Sequence, residues 1–409
     1  MRVLQDALNG TLSDVSEQFL QRLIEKKLRG QGMKFPDALP ERIARHILSG
    51  NKEVIDIDSS SGDVTLEFDQ SEIDDLVKAI RQFRKKDLPR IIESAATSGA
   101  NDIFRDLKAR WSEEYSQQVA DISGFRERME ARWGKALGQL RMLITIIREW
   151  CGETHKAVSS MRTSKKKRLL ELQVRLLARA CQTADEIVCL LENGFADGAM
   201  ARWRTLHEIH VVAAILDRHG PPIAERYVAH QAVESKRAMD KYAKCCGPLG
   251  FKPLSVRVSQ RIEKAYSAAV VKYGREFGRE YGWAAHHLKI KQVTFTDLEQ
   301  AAGHDAMRSF YQMGNDNIHA GIKSMFVRLG ALFDYDRLIA GRSNAGLTDP
   351  GQNAAHTLTQ IAVMVCNRGT LDDIVAAKIV VMLRDEIPRA FDRAHNKLRK
   401  DHRKYTASA

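Results

Sequence analysis

Apolar positions recur every three or four residues through most of this chain, the spacing that lays one greasy stripe along a helix. Residues 13–29 and 37–48 keep that spacing on either side of the breaker GQGMKFP at 30–36. EVIDID at 53–58 and DVTLEF at 63–68 instead alternate apolar and polar around SSSG, which predicts a β-hairpin near 53–68. A helix follows, with Ser71 as its expected cap, Asp74 near its start, and Leu76, Ile80 and Phe83 on one face. From Asp102 to about Lys156, Trp111, Tyr115, Val119, Ile122 and Phe125, then Leu137, Leu140, Leu143, Ile144 and Ile147, predict two long helices. Further helices are expected over 167–193, 195–217, 221–245, 254–274, 305–330 and 353–386, parted by ENG, HGPP, CGPLGFKP and GRSNAGLTDPG.

These elements predict a mainly all-α protein: a helical bundle with an N-terminal helical region containing one small β-hairpin. The expected organisation is an N-terminal region over 1–160, a bundle domain over 161–387 beginning in MRTSKKKR, and a basic C-terminal tail over 388–409. A chain of 409 residues is long enough for each region to bury a core. Its 44% hydrophobic and 28% charged residues are ordinary for a globular protein, and its 7% aromatic content is low. No apolar run approaches a membrane span, and MRVLQDALNGTLSDVSEQFL lacks the apolar core of a secretion signal, so no membrane partner and a cytoplasmic location are expected. The six cysteines form no C-x-x-C pair and no zinc-like grouping, which fits reduced thiols acting as small hydrophobes.

Charge narrows the partners. A net charge of +12 and a pI near 9.4 suit a polyanion such as RNA or another nucleic acid. Part of the excess sits in Lys165, Lys166, Lys167 and Arg168, and part in the tail with Lys397, Arg399 and Lys400. A basic run is more often a solvated helix face than a binding site, so both readings stand.

The sharpest local feature is RWRTLHEIH at 202–210, followed by the uniformly apolar VVAAIL. Arg204 and Glu208 share a face at i, i+4, with His207 between them and Asp197 roughly in line. A helix apolar all round beyond this point belongs in the middle of a bundle, and charges there must be paired. A second constellation, HDAMRSFYQMGNDNIHAGIKSMF at 304–326, carries Tyr311, Asn315 and His319 in a polar row, with Asn317 beside it. Asn and Asp form helices poorly, so NDN inside this pattern needs a tertiary or functional reason.

ARWRTLHEIHVVAAIL, YQMGNDNIHAG and GRSNAGLTDPGQNAAHTLTQIAVMV, in this order over about 165–386, resemble a prokaryotic helical family catalogued as domain of unknown function 5677. The resemblance points to Arg204, Glu208 and His319 as site residues and to Asp349, Pro350 and Gly351 as a structural loop. More distantly it is similar to HEPN-like proteins, helical ribonucleases with an arginine and a histidine separated by four to six intervening residues, many of them toxins or antiviral effectors. Such spacings occur here at Arg202/His207, Arg204/His210, Arg148/His155, Arg279/His286 and Arg389/His395, close to what chance supplies. A metal-independent ribonuclease would use His319 as acid–base, Arg204 as phosphate cation and Glu208 to orient Arg204, with Asn315 or Asn317 on a phosphate oxygen or 2′-hydroxyl. The competing expectation is a non-enzymatic helical scaffold or sensor whose Arg/Glu/His cluster only sets packing. H-E-I-H is not H-E-x-x-H, and no Gly-rich phosphate loop or nucleophile elbow is present, so neither metal nor cofactor is expected. The long helices predict a homo-oligomer.

Overall fold

The computed structural model describes residues 2–50, 65–319, 321–331 and 338–408, and its contacts divide the chain into two compact units, Met1–Gln118 and Val119–Ala409. The first unit opens with α1 (Arg2–Gly30) and α2 (Leu39–Ser49), which pack on each other through Leu20, Ile24, Leu28, Leu39, Ile43 and Ala44. The expected β-hairpin is not borne out. Residues 65–68 hold no strand, 53–64 lie outside the described residues, and no strand occurs among the residues described. The alternation in TLEF instead turns Leu66 and Phe68 onto the small helical core, where Lys27 lies 5.2 Å over the Phe68 ring. α3 (Gln70–Gln82) is then capped by Asp69, which accepts from the Glu72 amide at 2.8 Å while Glu72 accepts from the Asp69 amide at 3.0 Å. This reciprocal box displaces Ser71 from the capping position expected of it.

A π-helical turn at Phe83–Asp87 leads into α4 (Leu88–Ser159), a single 72-residue helix where the spacing predicted two. Its later part supplies the second unit with Trp133, Leu137, Leu140, Ile144, Ile147 and Trp150, all buried. The chain breaks at 160–164, and Ser164 caps α5 (Lys165–Glu192) by accepting from the Lys167 amide at 3.0 Å. The α6 helix (Ala196–His219) is the axle of this unit, in contact with α5 on one side and with four later helices on others. Its first half belongs to one core with Leu140, Leu177, Ile187, Leu358 and Phe391, and its second half to another with Ile223, Phe277, Trp283 and Leu298. That double duty explains why VVAAIL is apolar on every side.

α7 (Pro221–Ala229), α8 (Gln231–Cys245), α9 (Val256–Tyr273) and α10 (Gly282–Leu288) enclose the second core. α11 (Phe295–Ala302) and α12 (Arg308–Ile318) then lie against α6. The helix expected over 305–330 is shorter than its pattern: α12 ends at Ile318, His319 is extended, and α13 (Ile322–Phe326) is a separate short piece. Asn315, Asp316 and Asn317 occupy the last turn, where their weak helix preference does no harm. α14 (Thr348–Cys366) begins with Asp349, Pro350 and Gly351 as its first turn, not as a loop before it. A Cβ on Gly351 would lie 2.3 Å from the Phe391 ring, so only glycine lets α15 (Leu371–Ser408) pack there. α15 runs through Pro388, and the basic tail is its continuation. No helix among the described residues is long and apolar enough to cross a membrane.

Candidate functional site

On α6, Arg204 and Glu208 stand one turn apart, and the guanidinium meets the carboxylate at 3.0 Å. α12 comes close enough to join them because residue 314 is glycine. A Cβ there would sit 3.2 Å from the Arg204 Cβ and 3.2 Å from the Met200 carbonyl oxygen. This approach brings Tyr311 to Glu208, to which its hydroxyl donates at 2.8 Å. The Tyr311 ring stacks on Phe295 with centroids 4.8 Å apart, and Arg204 and Arg308 lie 4.9 and 5.5 Å from its centroid. Burial, joined by the bond to Glu208 and opposed by Arg204, pushes the Tyr311 phenol upward, so it stays a neutral donor.

Behind this face Glu299 of α11 is fully buried and serves two partners. His207 Nε2 lies 3.0 Å from one carboxylate oxygen, and Arg308 pairs with the other. Burial lowers the His207 pKa despite the attraction of Glu299, so the ring is neutral and donates its Nε2 proton to the carboxylate. Deeper still, burial pushes His210 down to about 2, with its ring centroid 3.9 Å from that of His304. Both rings face inward: His207 ties α6 to Glu299 of α11, and His210 packs against the His304 ring.

In front of Tyr311 lies an open cleft of about 770 Å³. Four guanidinium groups line it: Arg204, Arg237 from α8, Arg279 from the turn before α10, and Arg308 from α12. Glu280 is the single carboxylate in that lining, and Tyr281, Phe295 and Tyr311 supply ring faces. Asn315 closes one edge; its Oδ1 and the Arg204 Nε are buried without a hydrogen-bond partner among the described residues. Burial also raises the Tyr281 phenol. Chemically, the cleft offers fixed cations, neutral phenols and stacking surfaces to an anion carrying a flat ring.

Residues 171–336 match a family of unknown function, DUF5677. The likeness is confined to this segment. The DUF5677 segment runs from α5 past α13 and holds every residue lining the cleft, but it stops before α14 and the turn at Asp349, Pro350 and Gly351. No curated protein and no solved structure matches the chain.

The expected site residues therefore divide. Arg204, Glu208 and Asn315 come together at or beside the cleft. His319 is exposed just past the end of α12 and is not among the residues lining the cleft; Asn317 is half-buried nearby on that helix. Asp197 turns elsewhere, accepting from the Leu329 amide at 2.9 Å and pairing with Arg328. Lys165, Lys166 and Arg168 are exposed on the first turn of α5, whereas Lys167 donates to the carbonyls of Ser159 and Met161 and closes the end of α4. Lys397 and Lys400 are exposed on α15, and Arg399 is half-buried there. Neither basic segment lines the cleft. Sequence reasoning missed Arg237, Arg279 and Glu299. Arg308 was within reach of it, since Arg308, Tyr311 and Asn315 fall at i, i+3 and i+7 on one helix face. Among the described residues no group of His, Cys, Asp and Glu is arranged to hold a metal ion.

Proposed function

We propose that this protein binds single-stranded RNA or a similar nucleic acid, with the Arg204–Arg237–Arg279–Arg308 cleft holding a phosphodiester and the rings of Tyr281, Phe295 and Tyr311 taking a base. The observation that carries this reading is the convergence of four arginines from separate elements on one open cleft with aromatic walls. Arg204 and Arg308 are already paired with Glu208 and Glu299, while Arg237 and Arg279 form no ion pair among the described residues, and guanidinium planes match phosphate oxygens two at a time. Stacking on aromatic faces adds affinity without demanding a particular base. The net charge of +12 supports the same class of partner.

Arg237 and Arg279 are exposed, so replacing both with alanine should leave the fold intact. Binding of a fluorescent single-stranded RNA, followed by anisotropy across salt concentrations, tests the proposal. Each lost phosphate contact should flatten the salt dependence by about 0.7 in log–log slope for a single strand. Wild-type affinity and slope in the double variant would overturn the reading; loss of binding on replacing Lys397 and Lys400 alone would move the site to the tail.

A second reading, cleavage of the bound strand without metal in the manner of HEPN-like ribonucleases, is favoured by one feature. Asn315 stands at the cleft edge with a buried, unpartnered oxygen, and His319 follows it by four residues just past the end of the same helix. On this reading chelator leaves cleavage unchanged, and His319→Ala abolishes it while RNA affinity and melting temperature stay at wild-type values. Intact RNA after long incubation with wild-type protein leaves binding as the whole activity. No RNA binding at all by wild-type protein favours the scaffold alternative, in which Arg204, Glu208 and Tyr311 serve packing alone.

A further inference from the structure

Along α4, Phe104, Leu107, Trp111, Tyr115 and Val119 are each about half exposed or more, and Ile122 continues their row, partly exposed. Six apolar side chains on solvent over one helix call for a partner. Their spacing runs three, four, four, four, three. Eighteen residues in five steps average 3.6, the helical repeat itself, so the row runs parallel to the helix axis for about 27 Å and does not wind around it.

Phe125, the next residue of the stripe, packs against the core of the second unit and ends the exposed row at Ile122; from Phe104 to Ile122 the spacing reads the same from both ends, with its centre at residue 113. We infer that a second copy of this chain covers the row, its α4 lying antiparallel to the first with the two-fold axis near residue 113. Phe104 then meets Ile122 of the other copy, Leu107 meets Val119, and Trp111 meets Tyr115, so every apolar side chain finds one opposite. The rings of Trp111 and Tyr115, 6.4 Å apart within one helix, make a four-ring centre with their counterparts. Charge chooses the direction. Arg110 and Glu114 flank the row on one side, and Arg105 and Lys108 flank it on the other. In an antiparallel pair like flank faces like flank, which sets Arg110 across from Glu114 twice. A parallel pair would set Arg110 level with Lys108 and Glu114 level with Ser112 and Ser116, which leaves like charges facing without a compensating pair. Glu113 points to the far side and does not meet its copy. An interface that places each patch against itself around a two-fold axis closes at the dimer and leaves nothing to propagate. This inference does not depend on what the cleft binds.

Light scattering of the full chain on elution should give about 92 kDa, twice 46.1 kDa. Trp111→Glu, at an exposed position that leaves the monomer fold alone, should return it to 46.1 kDa. Arg110→Glu should weaken the dimer, and Arg110→Glu combined with Glu114→Arg should restore it. Direction is read with single cysteines in a background lacking the exposed Cys189 and Cys245. On oxidation a mixture of Leu107→Cys and Val119→Cys proteins should cross-link, while neither should cross-link alone. Wild-type protein at 46.1 kDa at its highest soluble concentration would overturn the inference, as would a dimer that Trp111→Glu leaves intact or a cross-link formed by Leu107→Cys alone.

Discussion

At the scale of single residues, Glu299 is the hinge of the arrangement. It is fully buried, yet it is shared by a neutral imidazole and a guanidinium that reaches the cleft. Glu299→Gln leaves one of these donors without an acceptor, at a cost of about 1–3 kcal/mol. Its melting temperature should therefore fall below wild type. Glu208→Gln should change stability much less, because its carboxylate is part-exposed and its bond to Arg204 is screened by water. Comparing the two melts separates the structural carboxylate from the one at the cleft. Protons act on the same region. Burial lowers the pKa values of His207, His210 and His304, so each takes a proton less readily in the fold than in the unfolded chain. The unfolded chain binds more protons as pH falls through 6.5, the ordinary histidine value, and stability is lost from there downward. Thermal melts from about pH 8 to about pH 5 should be level at first and then fall. Rising stability on acidification across that window would contradict neutral, buried rings.

At the scale of elements, α12 is held to α6 by the absence of a side chain. Gly314→Ala would push a methyl group against the Met200 carbonyl and the Arg204 Cβ, both fixed on a buried helix. The overpacking cost of about 1–3 kcal/mol exceeds the gain of roughly 1 kcal/mol that alanine brings to a helix. The variant should melt lower and bind RNA more weakly, since Arg308, Tyr311 and Asn315 move together. Unchanged melting would mean that α12 has slack against α6. The helices that sequence reasoning located well are those whose stripes meet a partner inside the same unit, α5 and α6 above all, whereas the single helix expected over 353–386 is broken at 367–370 into α14 and α15. The pairing of Arg204 with Glu208 was legible for the same reason, because one helix places both. The misplaced elements are those decided by distant partners. TLEF has a strand's alternation, but Leu66 and Phe68 land on a helical core, with no strand beside them among the described residues. The pattern at 305–330 keeps its apolar spacing beyond Ile318, yet weak helix formers end α12 there. Arg237, Arg279 and Arg308 come from three separate elements, so no local spacing announced their meeting.

At the scale of the whole molecule, the positive charge does not lie only where the sequence concentrates it. The runs at 165–168 and 397–400 are the densest, while the cleft assembles its cations one by one from α6, α8, α12 and the turn before α10. Nucleic-acid binding at an assembled site, as proposed above, is abolished by loss of the fold even though the basic runs survive unfolding. The most direct measurement is the salt dependence of single-stranded RNA affinity for wild type, for Arg237→Ala/Arg279→Ala and for Lys397→Ala/Lys400→Ala. A weaker, flatter response in the cleft variant, with the tail variant close to wild type, is the predicted result; a cleft variant indistinguishable from wild type would contradict it.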